Sequence, residues 1–135
     1  MKKVGKALGA GSVAGSAQVT LFIPSVDRDG KKIDQDLWRD EALRTLGRLF
    51  RGATAFPPGK GVWRDDARGG ELLFDDTVLV TSYADPASLE GSLQPLRRFL
   101  HRLGREANQG EIGLVVDGKY YGIVAFDPAG EGGGA

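Results

Sequence analysis

Among the side chains that could do chemistry, two arginine triplets come first. Arg98, Arg102 and Arg105 are spaced by four and three residues, and Arg44, Arg48 and Arg51 repeat that spacing. On a helix this lines the guanidiniums along one stripe. A planar guanidinium matches phosphate oxygens two at a time, so such stripes could hold a phosphate, RNA or DNA. Asp40, Glu41 and Glu106 are near enough to neutralise part of each stripe, and the plainer expectation is solvent-facing charge with salt bridges.

His101 is the sole histidine and lies among Arg97, Arg98, Arg102 and Arg105. One histidine cannot build a His-rich metal site, and neighbouring cations push its pKa below the range useful to a general base. It reads as a surface histidine beside a basic face. Ser25, Ser82, Ser88 and Ser92 lack a G-x-S-x-G context, which argues against serine hydrolase chemistry.

Residues 57–66, Pro-Pro-Gly-Lys-Gly-Val-Trp-Arg-Asp-Asp, gather rigid, aromatic and charged groups. The phosphate-loop signature is absent, so a nucleotide-triphosphatase is excluded. Asp65, Asp66, Glu71, Asp75 and Asp76 could offer oxygen ligands to a divalent ion. Adjacent residues on a strand point to opposite sides, however, so turn-forming and edge charge is expected there. No metal and no cofactor is assigned.

Ile112–Phe126 reads I-G-L-V-V-D-G-K-Y-Y-G-I-V-A-F. Its Asp117-Gly118 pair between β-rich runs predicts a two-residue hairpin. Lys119, Tyr120 and Tyr121 then form an exposed aromatic cluster with polar tips. No aromatic strand signature of an RNA-recognition domain accompanies it. The candidate catalytic set is Arg64, Asp65, His101, Lys119 and Tyr120. The candidate binding set is Trp63, Arg64, Arg98, Arg102, Arg105, Lys119, Tyr120 and Tyr121.

The elements that must position these residues follow from periodicity. Gln18–Ile23 alternates as a strand stopped by Pro24. Leu37, Trp38, Leu43, Leu46, Leu49 and Phe50 recur at helical period, predicting a helix over Asp34–Arg51, capped by Asp34 and ended by Gly52. Residues 53–64 are extended but interrupted by Pro57-Pro58-Gly59, with Gly61–Arg64 resuming as strand. A turn over Asp65–Gly70 leads into a long strand, Glu71–Tyr83, whose apolar run at 78–80 suggests cover on both sides. Leu89, Leu93, Leu96, Leu100 and Leu103 make a second helix, with Pro95 kinking it or marking a start near Ser92. The order β-α-β-β-α-β-β predicts an α+β, ferredoxin-like sandwich: a mainly antiparallel sheet of four to five strands with two helices on one face.

At 135 residues the chain fits one domain. Eighteen basic and 18 acidic residues cancel, giving no general attraction to nucleic acid or anionic membrane. Residues 1–16 read as a flexible basic arm, 17–127 as the domain and 128–135 as a Gly-rich tail. Only Val4, Leu8 and Val13 are strongly apolar in the arm, short of the roughly 7–15 residue run of an export leader. No stretch reaches the roughly 18–20 apolar residues of a membrane span. The absence of cysteine suits the cytoplasm, which is the expected location.

The succession of strand (Val19–Ile23), Trp38-bearing helix, Gly61–Asp65 (G-V-W-R-D) and Asp76–Val80 (D-T-V-L-V) resembles small bacterial domains of unknown function with ferredoxin-like architecture. The resemblance spans about residues 18–105 and implies the fold but no catalytic residue. The leading expectation is a non-enzymatic module that self-associates or docks a protein partner through an open sheet face or edge. One alternative is a small enzyme or nucleotide/phosphate-binding protein with a pocket at the sheet end. Another is an RNA- or DNA-binding protein using the arginine stripes.

Overall fold

The computed structural model describes residues 2–11 and 15–130. Strand β1 (Ala17–Ile23) is the middle of the sheet. It buries Ala17, Val19, Leu21 and Ile23 on one side and turns Gln18, Thr20 and Phe22 to the other, as a period of two requires. β4 (Glu71–Ala84) pairs with all of β1, placing Val80 opposite Leu21, and β5 (Ile112–Val116) pairs on the other side, placing Leu114 opposite Leu21. β6 (Lys119–Ile123) extends the sheet beyond β5. β2 (Thr54–Ala55) pairs with β4 near its end, while β3 (Gly59–Asp65) pairs with its first half. The order is β2-β4-β1-β5-β6 with β3 on β4, and every named pairing is antiparallel.

Two main helices cover one side. α2 (Gln35–Phe50) starts where the Asp34 carboxylate accepts from the Leu37 amide at 3.1 Å. It buries Trp38, Ala42, Leu46 and Phe50 at intervals of four. The helix exits through Arg51 at φ 75°, not through Gly52 as expected. Left-handed backbone costs a non-glycine residue about 1–2 kcal/mol, and the early turn brings the Gly52 carbonyl to the buried Ser82 hydroxyl. The second leucine stripe is split into α3 (Pro86–Gly91) and α4 (Leu93–Glu106). Pro95 lies in the first turn of α4, where its missing N–H removes no bond. Leu96, Phe99, Leu100 and Leu103 of α4 complete the core. Ahead of the sheet, Lys2–Leu8 forms a short helix, α1, in a stretch expected to lack helical order; Val4 and Leu8 stay exposed on it.

The other side of the sheet has no helix over it among the described residues. Val78 and Val80 are buried, but Leu79 faces away beside Phe22 and is half-buried. The apolar run at 78–80 was expected to be covered twice, and it is covered once. The terminal hairpin turns through Asp117 (φ 49°) and Gly118 (φ 80°), the left-handed pair of a type I′ turn. Asp117 also exchanges two 2.9 Å hydrogen bonds with the Gln18 backbone, which locks the hairpin to β1.

Candidate functional site

The hairpin register sets Tyr120 opposite Val115 and Gly122 opposite Gly113, all on the helix-free side. Gly113 and Gly122 face each other without side chains, and this bare shelf is occupied from both ends. The Tyr120 ring lies over Gly113, where an added Cβ would stand 2.8–2.9 Å from ring carbons. The Glu111 carboxyl lies over Gly122, where a Cβ would stand 2.9–3.1 Å from its atoms. The two groups meet: the Tyr120 hydroxyl donates to Glu111 Oε2 at 2.5 Å. Burial, and then the Glu111 carboxylate, push the Tyr120 phenol up to about 12, so it stays protonated and donating across neutral pH.

Beside this pair is a cavity of about 280 Å³, close to the lower end of the range for small-molecule sites. Phe22 and Thr77 form part of its lining on the sheet, and the Phe22 ring centroid is 6.1 Å from that of Tyr120. Gly61, Val62 and Trp63, on the β3–β4 ribbon, supply another part. Asp75 contributes a second carboxylate, held by a 2.6 Å bond from the Ser25 hydroxyl. Among the described residues no lysine or arginine lines this cavity. Aromatic faces with two carboxylates and no basic group favour a cationic or neutral ligand over an anion.

A second cavity of about 580 Å³ adjoins it, sharing Trp63, Asp75, Gln109 and Glu111. Arg64 and Asp65 lie on this one. Arg64 forks onto Asp66 at 2.5 and 3.2 Å. Asp65 accepts from the Ala67 amide and pairs with Arg68 at 3.5 Å. Both residues thus hold the Asp65–Gly70 turn together.

The remaining expected site residues are dispersed. Lys119 and Tyr121 fall on the opposite side of β6 from Tyr120, so the expected aromatic cluster is divided between two faces. Tyr121 lines a groove beside α4 that also contains His101. Arg102 lies over Trp38 and Phe99, 5.1 and 5.8 Å from their ring centroids, and donates to Glu41 at 3.2 Å. Arg105 donates to the Asp127 carbonyl at 2.7 Å. Arg98 lines neither open-face cavity. Asp75 and Asp76 diverge as strand geometry requires, Asp76 pairing with Lys60 at 2.8 Å. Among the described residues no cluster of three or more potential ligands could hold a metal.

His101 is not a surface residue: the returning chain buries it. Gly104 leaves the gap into which Phe126 packs, since a Cβ there would overlap that ring. The Phe126 ring stands at 90° to His101, with centroids 6.0 Å apart. His101 Nδ1 accepts from the Asp127 amide at 2.8 Å, which requires the neutral ring. Burial holds its pKa below the ordinary value, opposed by Asp127 and assisted by Arg97 and Arg105. Unfolding therefore takes up a proton as the pH falls below about 6.5. Stability is expected to decline from there toward the lowered folded pKa. Urea melts across this window should show the slope in the wild type and lose it in His101→Gln; equal slopes would refute the assignment. Asp127, lowered chiefly by its bonds from Arg97, acts in a separate and more acidic window.

No protein-family model and no curated protein matches the chain. Solved structures share its fold, two phage SAM lyase structures among them. A phage SAM lyase in complex with S-methyl-5'-thioadenosine aligns with TM-score 0.56 at 19% identity, covering 82% of this chain and 91% of that one. A phage SAM lyase in the apo state aligns with TM-score 0.52 at 17% identity, covering 83% and 91%. The fold is that of a small α+β domain with a mostly antiparallel sheet, shared with these two structures. This likeness speaks against the expected non-enzymatic assembly module: the structures that share the fold are lyases by name, and the helix-free face carries a cavity where a bare docking surface was expected. Trp63 and Tyr120 are among the expected site residues; Glu111, Phe22, Gly113 and Gly122 are not, and Asp75 was expected as edge charge or an oxygen ligand to a divalent ion. No described helix is long and apolar enough to cross a membrane.

Proposed function

We propose that the protein is a small enzyme that holds S-adenosylmethionine in the open-face cavity and releases S-methyl-5'-thioadenosine. The observation that carries this reading is the Glu111–Tyr120 pair on its glycine shelf, beside an aromatic cavity with two carboxylates and no basic side chain. A sulfonium is a cation without a hydrogen-bond donor, so carboxylates and aromatic faces are what attract it. Asp75 and Glu111 supply the first, Phe22, Trp63 and Tyr120 the second. A di- or triphosphate would meet only like charge there. The reading treats the domain as a ferredoxin-like sandwich extended by β6, and the names of the two phage structures support the same ligand chemistry.

On release, the bond from sulfur to the γ-carbon breaks and its electron pair passes to sulfur, leaving a neutral thioether. The carbon completes its valence with the substrate's own carboxylate, or with the electrons of a C–H bond whose proton a base such as Glu111 takes. Positive charge fades as the bond breaks, so the apolar faces of Phe22, Val62 and Trp63 disfavour the ground-state cation more than the transition state.

Incubation with S-adenosylmethionine, followed by mass spectrometry, should yield methylthioadenosine faster than spontaneous decay. Glu111→Gln keeps the size and a bond with Tyr120 but loses the charge. It should weaken sulfonium binding by about tenfold or more while changing methylthioadenosine affinity by less than about threefold. Binding without product would leave a binding protein only, and no binding would end the proposal.

A further inference from the structure

We infer that the second cavity is a subsite for a zwitterionic α-amino-acid group, whose carboxylate is taken by Arg28. The inference rests on the first cavity holding the nucleoside end of the proposed ligand. That cavity offers a ligand carboxylate no counter-charge, because its charged groups are Asp75 and Glu111. A molecule that runs past Trp63 and Glu111 enters the second cavity, which both residues also line. There both signs of charge are present.

Arg64 and Arg68 already have carboxylate partners in Asp66 and Asp65. Arg28 differs. Its guanidinium makes one long bond, 3.4 Å from Nη2 to the Gln109 carbonyl, so most of its five N–H donors are available. Its backbone is firmly held. The Arg28 amide donates to the Asn108 carbonyl at 2.9 Å. The Asp27 carboxylate accepts from the amides of Asp29 and Lys31 at 2.8 and 3.0 Å. Asn108 closes the turn with a 3.0 Å bond to Asp29. A fork-shaped cation on a braced turn suits bidentate capture of a carboxylate, and Asp29 places an opposite charge one residue away for the ammonium.

Two probes isolate the headgroup. S-adenosylhomocysteine and methylthioadenosine share the nucleoside and a neutral thioether, and only the first carries the α-amino acid. By calorimetry the wild type should bind S-adenosylhomocysteine about tenfold or more tightly than methylthioadenosine. Arg28→Ala should erase that gap and leave methylthioadenosine affinity within about twofold, with Arg28→Lys restoring part of it. The Arg28 side chain is exposed and its turn is held by other groups, so the variant keeps the fold, which a thermal melt verifies. Equal affinities in the wild type, or a gap that survives in Arg28→Ala, would overturn the subsite while leaving the nucleoside cavity intact. Failure of methylthioadenosine to bind would overturn the nucleoside reading, and the subsite with it.

Discussion

Gly113→Ala is expected to cut ligand affinity in the open-face cavity by about a hundredfold while the protein remains folded. The new methyl would fall within 3 Å of the Tyr120 ring and overlap its hydroxyl. Tyr120 is on an edge strand and half exposed, so the ring would swing outward and the backbone would hold. Overpacking of this kind costs about 1–3 kcal/mol. The larger loss is of placement: the hydroxyl leaves Glu111, and the carboxylate loses the bond that orients it. A spectroscopic readout separates this from general destabilisation. Ultraviolet titration against a Tyr120→Phe reference should show the phenol falling from about 12 toward its ordinary value near 10. Unaltered affinity with an unaltered phenol would refute the role of the glycine shelf.

Leu21→Ala should be the most destabilising simple truncation, at about 2–5 kcal/mol in urea unfolding. Leu21 is wholly buried on the central strand, between Val80 and Leu114 and under the helices. No neighbour can collapse into the gap without moving a paired strand. Phe22, next along the chain, faces the cavity, and its truncation should cost less stability and more affinity. A loss below about 1 kcal/mol for Leu21→Ala would mean that the sheet is not packed as described.

Much of this architecture was legible from spacing alone. The alternation in β1, the Asp34 cap, the Asp65–Gly70 turn and the Asp117-Gly118 hairpin are all set by neighbours a few residues apart. The site was less legible because it depends on register across strands. Once the two-residue turn is accepted, counting back pairs Tyr120 with Val115 and Gly122 with Gly113, which exposes the empty shelf and brings Glu111 to its edge. That signal was present but reads as nothing when glycines are taken for turn residues. Lys119, Tyr120 and Tyr121 looked like one cluster for a similar reason: adjacency in sequence means opposition across a sheet. His101 could not be placed from its own helix, because Phe126 and Asp127, which bury it, arrive from about 25 residues later. Nor did charge spacing disclose that Arg102 would settle over Trp38.

The β3–β4 ribbon carries Trp63 with no helix beneath it, and Val62, Leu72 and Phe74 along it stay exposed. A two-stranded extension is softer than a sheet backed by a packed layer. One wall of the cavity is therefore compliant and the other stiff, so ligand entry and departure would be timed by breathing of the ribbon. The chain holds two tryptophans: Trp38 is sealed in the interior, while Trp63 is 52% exposed on the ribbon wall. Its indole emission thus gives the protein a built-in gauge of whether that wall is open or shut.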